Sequence, residues 1–270
     1  MESPIVWLAD AACRDVTIAG GKGSSLAAMS AAGLPVPPGF VVVAGVLEHA
    51  VDAPRLRELA SSGQHDAAQA LVGAAQVPRA AIDAAYGQLE GRVAVRSSAV
   101  AEDSDTASYA GQQETFLDVE GADDVCERIR ECWQSFFSER AIFYRGHKGS
   151  LDDLAMSVVV QRMVDADKAG VMFTVDPVQR RRDRMIIEAV HGLGESLVSG
   201  EETPDHYVVD RSGTVKREAA PKNVLSEPEL VSLAQLGAQL EEHFGTPQDV
   251  EWAMAQGSVH LLQSRPVTTL

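Results

Sequence analysis

The stretch Arg92–Val119, RVAVRSSAVAEDSDTASYAGQQETFLDV, constrains this chain more than any other. Val93-Ala94-Val95 is a short β-branched run that predicts a buried strand, and Arg96 stands at its end with Ser97 and Ser98 behind it. A guanidinium beside two hydroxyls suits forked contacts with an oxyanion such as phosphate. Glu102–Ser108 is an acidic, small-residue loop with little to pack. Tyr109-Ala110-Gly111-Gln112-Gln113 follows, and its glycine lets backbone approach a ligand closely. Glu114–Val119 alternates as a returning strand, with Thr115 near its start. Taken alone, the stretch fits two descriptions: an oxyanion site, or an ordinary hairpin in which Arg96 pairs with Glu102 or Asp103.

The charge balance gives the first discrimination. The chain carries a net charge of −16, which argues against nucleic acid or an anionic membrane as its main partner. An anionic small ligand would need local cations, so lysines and arginines next to glycines gain interest. With 270 residues there is length for one large domain or two lobes, and 45% apolar content excludes wholesale disorder. Cys13, Cys126 and Cys132 are too few and too scattered for a zinc site or a disulfide framework. Burial is their expected role. With no basic-then-apolar leader and no run of membrane-spanning length, a reducing cytoplasm is the expected compartment.

One such lysine lies in Ala19-Gly20-Gly21-Lys22-Gly23-Ser24-Ser25, which opens a predicted helix ending at Gly33. Free backbone N–H groups plus a point charge make an anion cradle, although a flexible turn with a solvated lysine fits equally. It is not a Walker A loop, because Val16 stands where that motif needs glycine and Gly23 where it needs Ser or Thr. Pro35-Val36-Pro37-Pro38-Gly39 is a stiff turn before a buried strand at Phe40–Val43. Val46–Leu89 reads as broken helix, and Asp123–Gly146 as one amphipathic helix burying Trp133, Phe136, Phe137 and Phe143. Arg140 and Arg145 are expected on its solvated face. Strands follow at Met156–Gln161 and Gly170–Thr174, with a lobe boundary near Val164. Arg180–Arg184 reads as an exposed basic turn, Met185–Ala189 as a strand with Glu188 near its end, and Ser226–Glu229 as a capping box.

The closing segment predicts a hairpin, Asp249–Met254 and Val259–Arg265 around a three-residue loop, Gln256-Gly257-Ser258. Residues whose numbers sum to 514 then lie opposite one another, so Glu251 faces Gln263 and Arg265 shares that face. A carboxylate, an amide oxygen and a guanidinium converge. The two hard oxygens suit Mg²⁺, which takes few protein ligands and completes its shell with water and phosphate. A plain surface Glu–Arg pair is the competing description.

In order along the chain, GGKGSSLAAMSAAGLPVPPGF, VAVRSSAVAED, SYAGQQETFLDV, VVVQRMV, GVMFTVDP, GLGESLVSG, TPDHY, DVEWAM and QSRPVT resemble the ATP-binding domain of the phosphoenolpyruvate synthase and pyruvate, phosphate dikinase family, which includes the rifampicin phosphotransferases. The resemblance implies an α+β, ATP-grasp fold: an N-terminal lobe over 1–164 with a trimmed helical insert, and a C-terminal lobe over 165–270, clamping Mg²⁺ and ATP. It implies that Lys22 and Arg96 contact phosphates, that the loop bearing Gly111 and Gln112 closes over them, and that Thr115 lies beside them. Gln161, with Met163 after it, lies at the adenine hinge. Glu251 and Gln263 hold Mg²⁺, and Arg265 meets the terminal phosphates; Lys22, Arg96 and Arg265 are thus the expected catalytic cations. The family's swivelling phosphohistidine domain and acceptor domain are absent from this sequence. The expected function is ATP cleavage to AMP and phosphate with the β-phosphoryl passed to a histidine on a separate domain or chain, and onward to an unidentified small-molecule acceptor. A self-contained kinase or ligase that phosphorylates a bound acceptor, and a non-catalytic ATP-binding module, are the alternatives.

Overall fold

The computed structural model describes residues 3–100, 114–148, 154–198, 200 and 202–268. The chain divides into two α+β units. The first takes residues 1–28 and 38–163, the second residues 29–37 and 164–270.

In the first unit, β1 (Ile5–Trp7), β2 (Gly39–Val42), β3 (Val93–Ala99), β4 (Thr115–Val119) and β5 (Met156–Arg162) form a sheet ordered β1-β2-β5-β3-β4. Every neighbouring pair is antiparallel. Short β-branched runs make these strands, and alternation sends Val95, Val158 and Val160 into one core. That core is filled by Leu47 of α2 (Gly45–Ala50), Leu56 of α3 (Ala53–Ser61), Val72 of α4 (His65–Gly73) and Ile82 of α5 (Arg79–Leu89), all fully buried, together with α6 (Ala122–Ser135). On the opposite face lies α1 (Val16–Ala31): a Cβ on its Gly23 would sit 3.2 Å from Val41 and 3.6 Å from Val159. Its last turn leads into the 29–37 segment of the second unit.

The single amphipathic helix expected over Asp123–Gly146 is two. Helix α6 stops at Ser135, and α7 (Glu139–Lys148) starts after a turn at Phe136–Ser138. There the Ser138 hydroxyl accepts the Ala141 N–H (3.3 Å), a cap that restarts the helix in a new direction. The redirection exposes Phe143, which is 68% accessible. It also buries Arg145, whose guanidinium lies 3.8 Å from the Phe136 ring centroid rather than in solvent.

In the second unit, β6 (Lys168–Phe173), β7 (Arg184–His191), β8 (Asp205–Asp210), β9 (Val215–Ala219), β10 (Gln248–Ala255) and β11 (Ser258–Pro266) form a sheet ordered β11-β10-β6-β7-β8-β9. A short helix, α8 (Glu195–Val198), follows β7. One sheet face is covered by α9 (Glu227–Phe244), whose Gly237 lets it sit close to Met172 and Met185. The capping box at Ser226 and Glu229 forms, and Gly245 ends the helix in the left-handed region (φ 71°). Glu229 also binds Lys168 of β6 (2.7 Å), tying the start of the helix to the sheet. The 29–37 segment joins this unit through the Leu261 N–H, which donates to the Pro35 carbonyl (2.8 Å).

The hairpin turn differs from the expected one. Ala255 pairs with Ser258, so the loop is the two residues Gln256 and Gly257, both with positive φ (52° and 76°). That turn alone would set pairs summing to 513. A bulge between Glu251 and Trp252 inserts one residue, and from Glu251 outward the sum is 514, so Glu251 does face Gln263.

Asp205, within the TPDHY stretch, is fully buried and structural. Its carboxylate accepts the N–H groups of Val224 (2.9 Å) and Lys222 (3.0 Å) and the Tyr207 hydroxyl (2.9 Å). Burial alone would raise its pKa, but these donors outweigh it and hold the carboxyl below its ordinary value. Because the folded value is depressed, this stabilisation is present above the ordinary carboxylate range and is lost as pH falls through the lowered value. Asp205→Asn is expected to cost about 1–3 kcal/mol at neutral pH, with a smaller penalty under acid conditions, as read by denaturant melts across pH.

Candidate functional site

In the first unit the site is built around a kink. Gly20 adopts φ 70°, ψ 176° inside α1, a conformation that L side chains rarely adopt. A Cβ there would lie 2.2 Å from the Ser98 carbonyl oxygen and 2.6 Å from the Ser157 hydroxyl. The Ser98 hydroxyl donates to the Ala19 carbonyl (2.9 Å) and accepts the Gly23 N–H (3.1 Å), while Ser157 donates to the Ser98 carbonyl (2.6 Å). These bonds fasten the helix to β3 on both sides of Lys22. The Lys22 ammonium donates to the Ser97 carbonyl (2.8 Å), and the residue is 3% accessible.

Sheet register supplies the companions. Arg96 pairs with Thr115 on one side and Val159 on the other, and Val159 pairs with Val41, so all four share the face on which α1 packs. Arg96 is 7% accessible and Thr115 exposed. Gln161 lies one position further along that face, opposite Ala94 and Gly39, and is buried. Met163 follows the strand, half-buried, with its N–H on the Arg92 carbonyl (3.0 Å). Gly111 and Gln112 lie outside the described residues.

Two details of the expected oxyanion contacts change. The hydroxyls of Ser97 and Ser98 are committed to backbone, Ser97 donating to the Glu114 carbonyl (3.3 Å), so they act as clamps around Arg96. The Gly23 N–H, expected as part of an open cradle, is likewise taken by Ser98.

In the second unit the bulged hairpin places Asp249, Glu251, Gln263 and Arg265 on the sheet face opposite α9. Arg265 pairs with Asp249: its Nε donates to Asp249 Oδ2 (2.9 Å), and a terminal nitrogen approaches the same oxygen (2.8 Å). Asp249 is the residue that motif matching missed. Strand periodicity held the signal, since Asp249 lies two before Glu251 and therefore on the same face. Burial raises the Asp249 carboxyl above its ordinary value, Arg265 pulls it back only in part, and Glu251 adds to the rise.

The donor chemistry fits a hard divalent cation. Glu251 and Gln263 present oxygen ligands side by side, and Asp249 lies next along the strand. Among the described residues no group of three or more His, Cys, Asp or Glu forms a closed metal cage.

The family model for the pyruvate phosphate dikinase, AMP/ATP-binding domain matches residues 16–222 and 211–270. A probable phosphoenolpyruvate synthase from Methanocaldococcus jannaschii is 41% identical, the match covering 98% of this chain and 27% of that protein. A phosphoenolpyruvate synthase from Pyrococcus furiosus is 35% identical, covering 98% and 44%. A rifampicin phosphotransferase from a Streptomyces species is 37% identical, covering 98% and 36%. The chain thus spans less than half the length of each of these relatives.

The kink is the most sensitive point of the first unit. Gly20→Ala is expected to destabilise the protein by roughly 2 kcal/mol or more. Gly33→Ala also changes a positive-φ glycine (74°), but a Cβ there meets nothing within 4 Å, so a smaller loss is expected. Paired denaturation midpoints check the difference.

Proposed function

The chain belongs to the pyruvate phosphate dikinase AMP/ATP-binding domain family, and from that premise we propose that it binds Mg·ATP in the ATP-grasp manner as the nucleotide-handling part of a dikinase-type phosphotransferase. ATP is cleaved to AMP and phosphate: a histidine nitrogen on a separate domain or chain bonds to the β-phosphorus as the α–β bridging bond breaks and AMP leaves, and water cleaves the β–γ bond, releasing the γ-phosphoryl group as inorganic phosphate. A small-molecule acceptor receives the β-phosphoryl group afterwards.

The observation that carries this reading is the hairpin register, which sets Glu251 opposite Gln263 beside the Asp249–Arg265 pair. Glu251 and Gln263 would hold Mg²⁺, which supplies charge neutralisation at the phosphate oxygens when bound. Lys22 and Arg96 meet phosphate oxygens as cations already seated in the fold, so little reorganisation is needed as charge shifts during transfer. Asp249 holds the Arg265 fork at a fixed angle toward the terminal phosphates. Thr115 lies beside the phosphates, under the loop carrying Gly111 and Gln112, while Gln161 and Met163 meet adenine. Catalysis here is positioning and electrostatics, with the covalent step on the partner histidine.

Among the described residues no helix is long and apolar enough to cross a membrane. Three free, buried cysteines suit a reducing compartment, and a cytoplasmic address is part of the proposal, as is a ligand set without nucleic acid.

ATP labelled separately at the β and γ positions tests the route. With a phosphohistidine partner present, the γ label is expected as free phosphate and the β label on histidine, with AMP accumulating. ADP as the only product would overturn the proposal. Arg96→Ala and Glu251→Gln should each lower transfer by about 100-fold or more, while far-ultraviolet circular dichroism stays unchanged.

A further inference from the structure

The last residues of the first unit are tied to a turn that lies outside its sheet. Arg162 ends β5, with its N–H on the Pro38 carbonyl (2.9 Å) and Val93 of β3 opposite it. Met163 follows the strand. Two bonds run from this pair to the turn Leu89–Arg92, which joins α5 to β3. The Met163 N–H donates to the Arg92 carbonyl (3.0 Å), and Arg162 Nε donates to the Leu89 carbonyl (3.0 Å). Leu89 is the last residue of α5, where carbonyls lack a helical partner and a cation is favoured. The exposed Arg162 thus caps that helix from the strand that carries Gln161.

The turn is itself held under strain. Glu90 adopts φ 53°, ψ 134°, a conformation that a non-glycine residue keeps only where its surroundings over-determine it. Those surroundings come from three elements. The Glu90 N–H donates to the Tyr86 carbonyl of α5 (3.3 Å), and the Tyr86 hydroxyl donates to the Gly91 carbonyl (2.9 Å). The same hydroxyl accepts the Gly121 N–H at the start of α6 (2.7 Å). The Arg92 guanidinium bonds Asp118 of β4, a second non-glycine residue with positive φ (55°). A connection that only reversed the chain would relax with glycine at position 90. Retained strain points to a geometric task, and bonds leaving this turn end on Arg162 and Met163.

We infer that the Leu89–Arg92 turn fixes the backbone of Gln161–Met163, the segment assigned to the base, and thereby sets the preference for adenine. The inference rests on the nucleotide reading above. Arg162 and Tyr86 are positioning residues in this scheme, acting through the turn rather than on the ligand.

Calorimetry on the 270-residue chain with MgCl₂ tests it, comparing ATP with ITP, which differs only in the base. Wild type should prefer ATP. Arg162→Ala should weaken ATP about fivefold, the worth of one hydrogen bond, and leave ITP nearly unchanged. Arg162→Lys keeps a donor within reach of the Leu89 carbonyl and should restore most of the preference. Tyr86→Phe frees the turn from the α5 side at constant ring volume, and should shift the ATP-to-ITP ratio in the same direction. Equal weakening of ATP and ITP would overturn the inference, because general loosening of the fold does that. So would an unchanged ratio in Tyr86→Phe, which would assign the effect to Arg162 alone, or a wild type that does not distinguish the two nucleotides. Absence of any nucleotide binding by folded wild type would instead overturn the nucleotide reading itself.

Discussion

One inserted residue in the closing hairpin decides what the second unit presents. A two-residue turn at Gln256-Gly257 dictates a register in which Gln263 and Arg265 would point at α9. A one-residue slip moves an entire strand face to the other side of a sheet, and the bulge makes that slip once, locally. On the turn side, Trp252 and Leu261 stay paired in the core. Beyond it, Gln263 and Arg265 swing to the face of Glu251 and Asp249. The same strand therefore serves the core and the polar face without placing a guanidinium among Leu230, Leu233 and Leu240.

The first unit solves a different problem: holding cations in a protein of net charge −16 without exposing them to the surrounding acids. Lys22 and Arg96 are both nearly inaccessible, and desolvating such groups is costly unless polar atoms meet them. The Gly20 kink brings the start of α1 against Ser98 and Ser157 closely enough for the Lys22 ammonium to reach the Ser97 carbonyl. Any residue with a Cβ at that point would push the helix away. The serine hydroxyls thus serve geometry, and the cations are left to serve charge.

Much of this was legible in the sequence where the cue was local and the physics one-dimensional. The capping box at Ser226, the Gly245 stop, the β-branched strands and the buried free cysteines follow from short-range rules. The opposition of Glu251 and Gln263 follows from either turn, because a three-residue loop and a two-residue loop with a bulge give the same sum beyond the insertion. The break at Phe136–Ser138 was hidden, since apolar spacing continues through it and only the Ser138 cap marks the restart. Arg145 was hidden because a guanidinium looks solvent-bound until two rings, Phe136 and Phe137, are folded around it. The membership of residues 29–37 in the second unit depends on a contact from Pro35 to Leu261, more than two hundred residues away in sequence. No local rule reports such a contact.

The chemistry left to these residues also explains what they are not. A covalent intermediate needs an accessible nucleophile of suitable pKa. Burial, with Asp10 adding to it, pushes the Cys13 thiol up to about 12, and its sulfur lies near the Gly23 carbonyl within the α1 packing. Burial likewise raises Cys126 and Cys132, and Lys22 offsets little of the rise at Cys132. Burial thus disfavours the thiolate at all three. The His206 ring is engaged with Glu188 across β7 and β8. What remains is a set of pre-positioned cations, hard oxygen ligands and hydrogen-bond acceptors, each fixed by sheet register or by the Gly20 kink. In the proposed reaction such a set would stabilise charge in a transferring phosphoryl group, while the buried thiols offer that group no resting place.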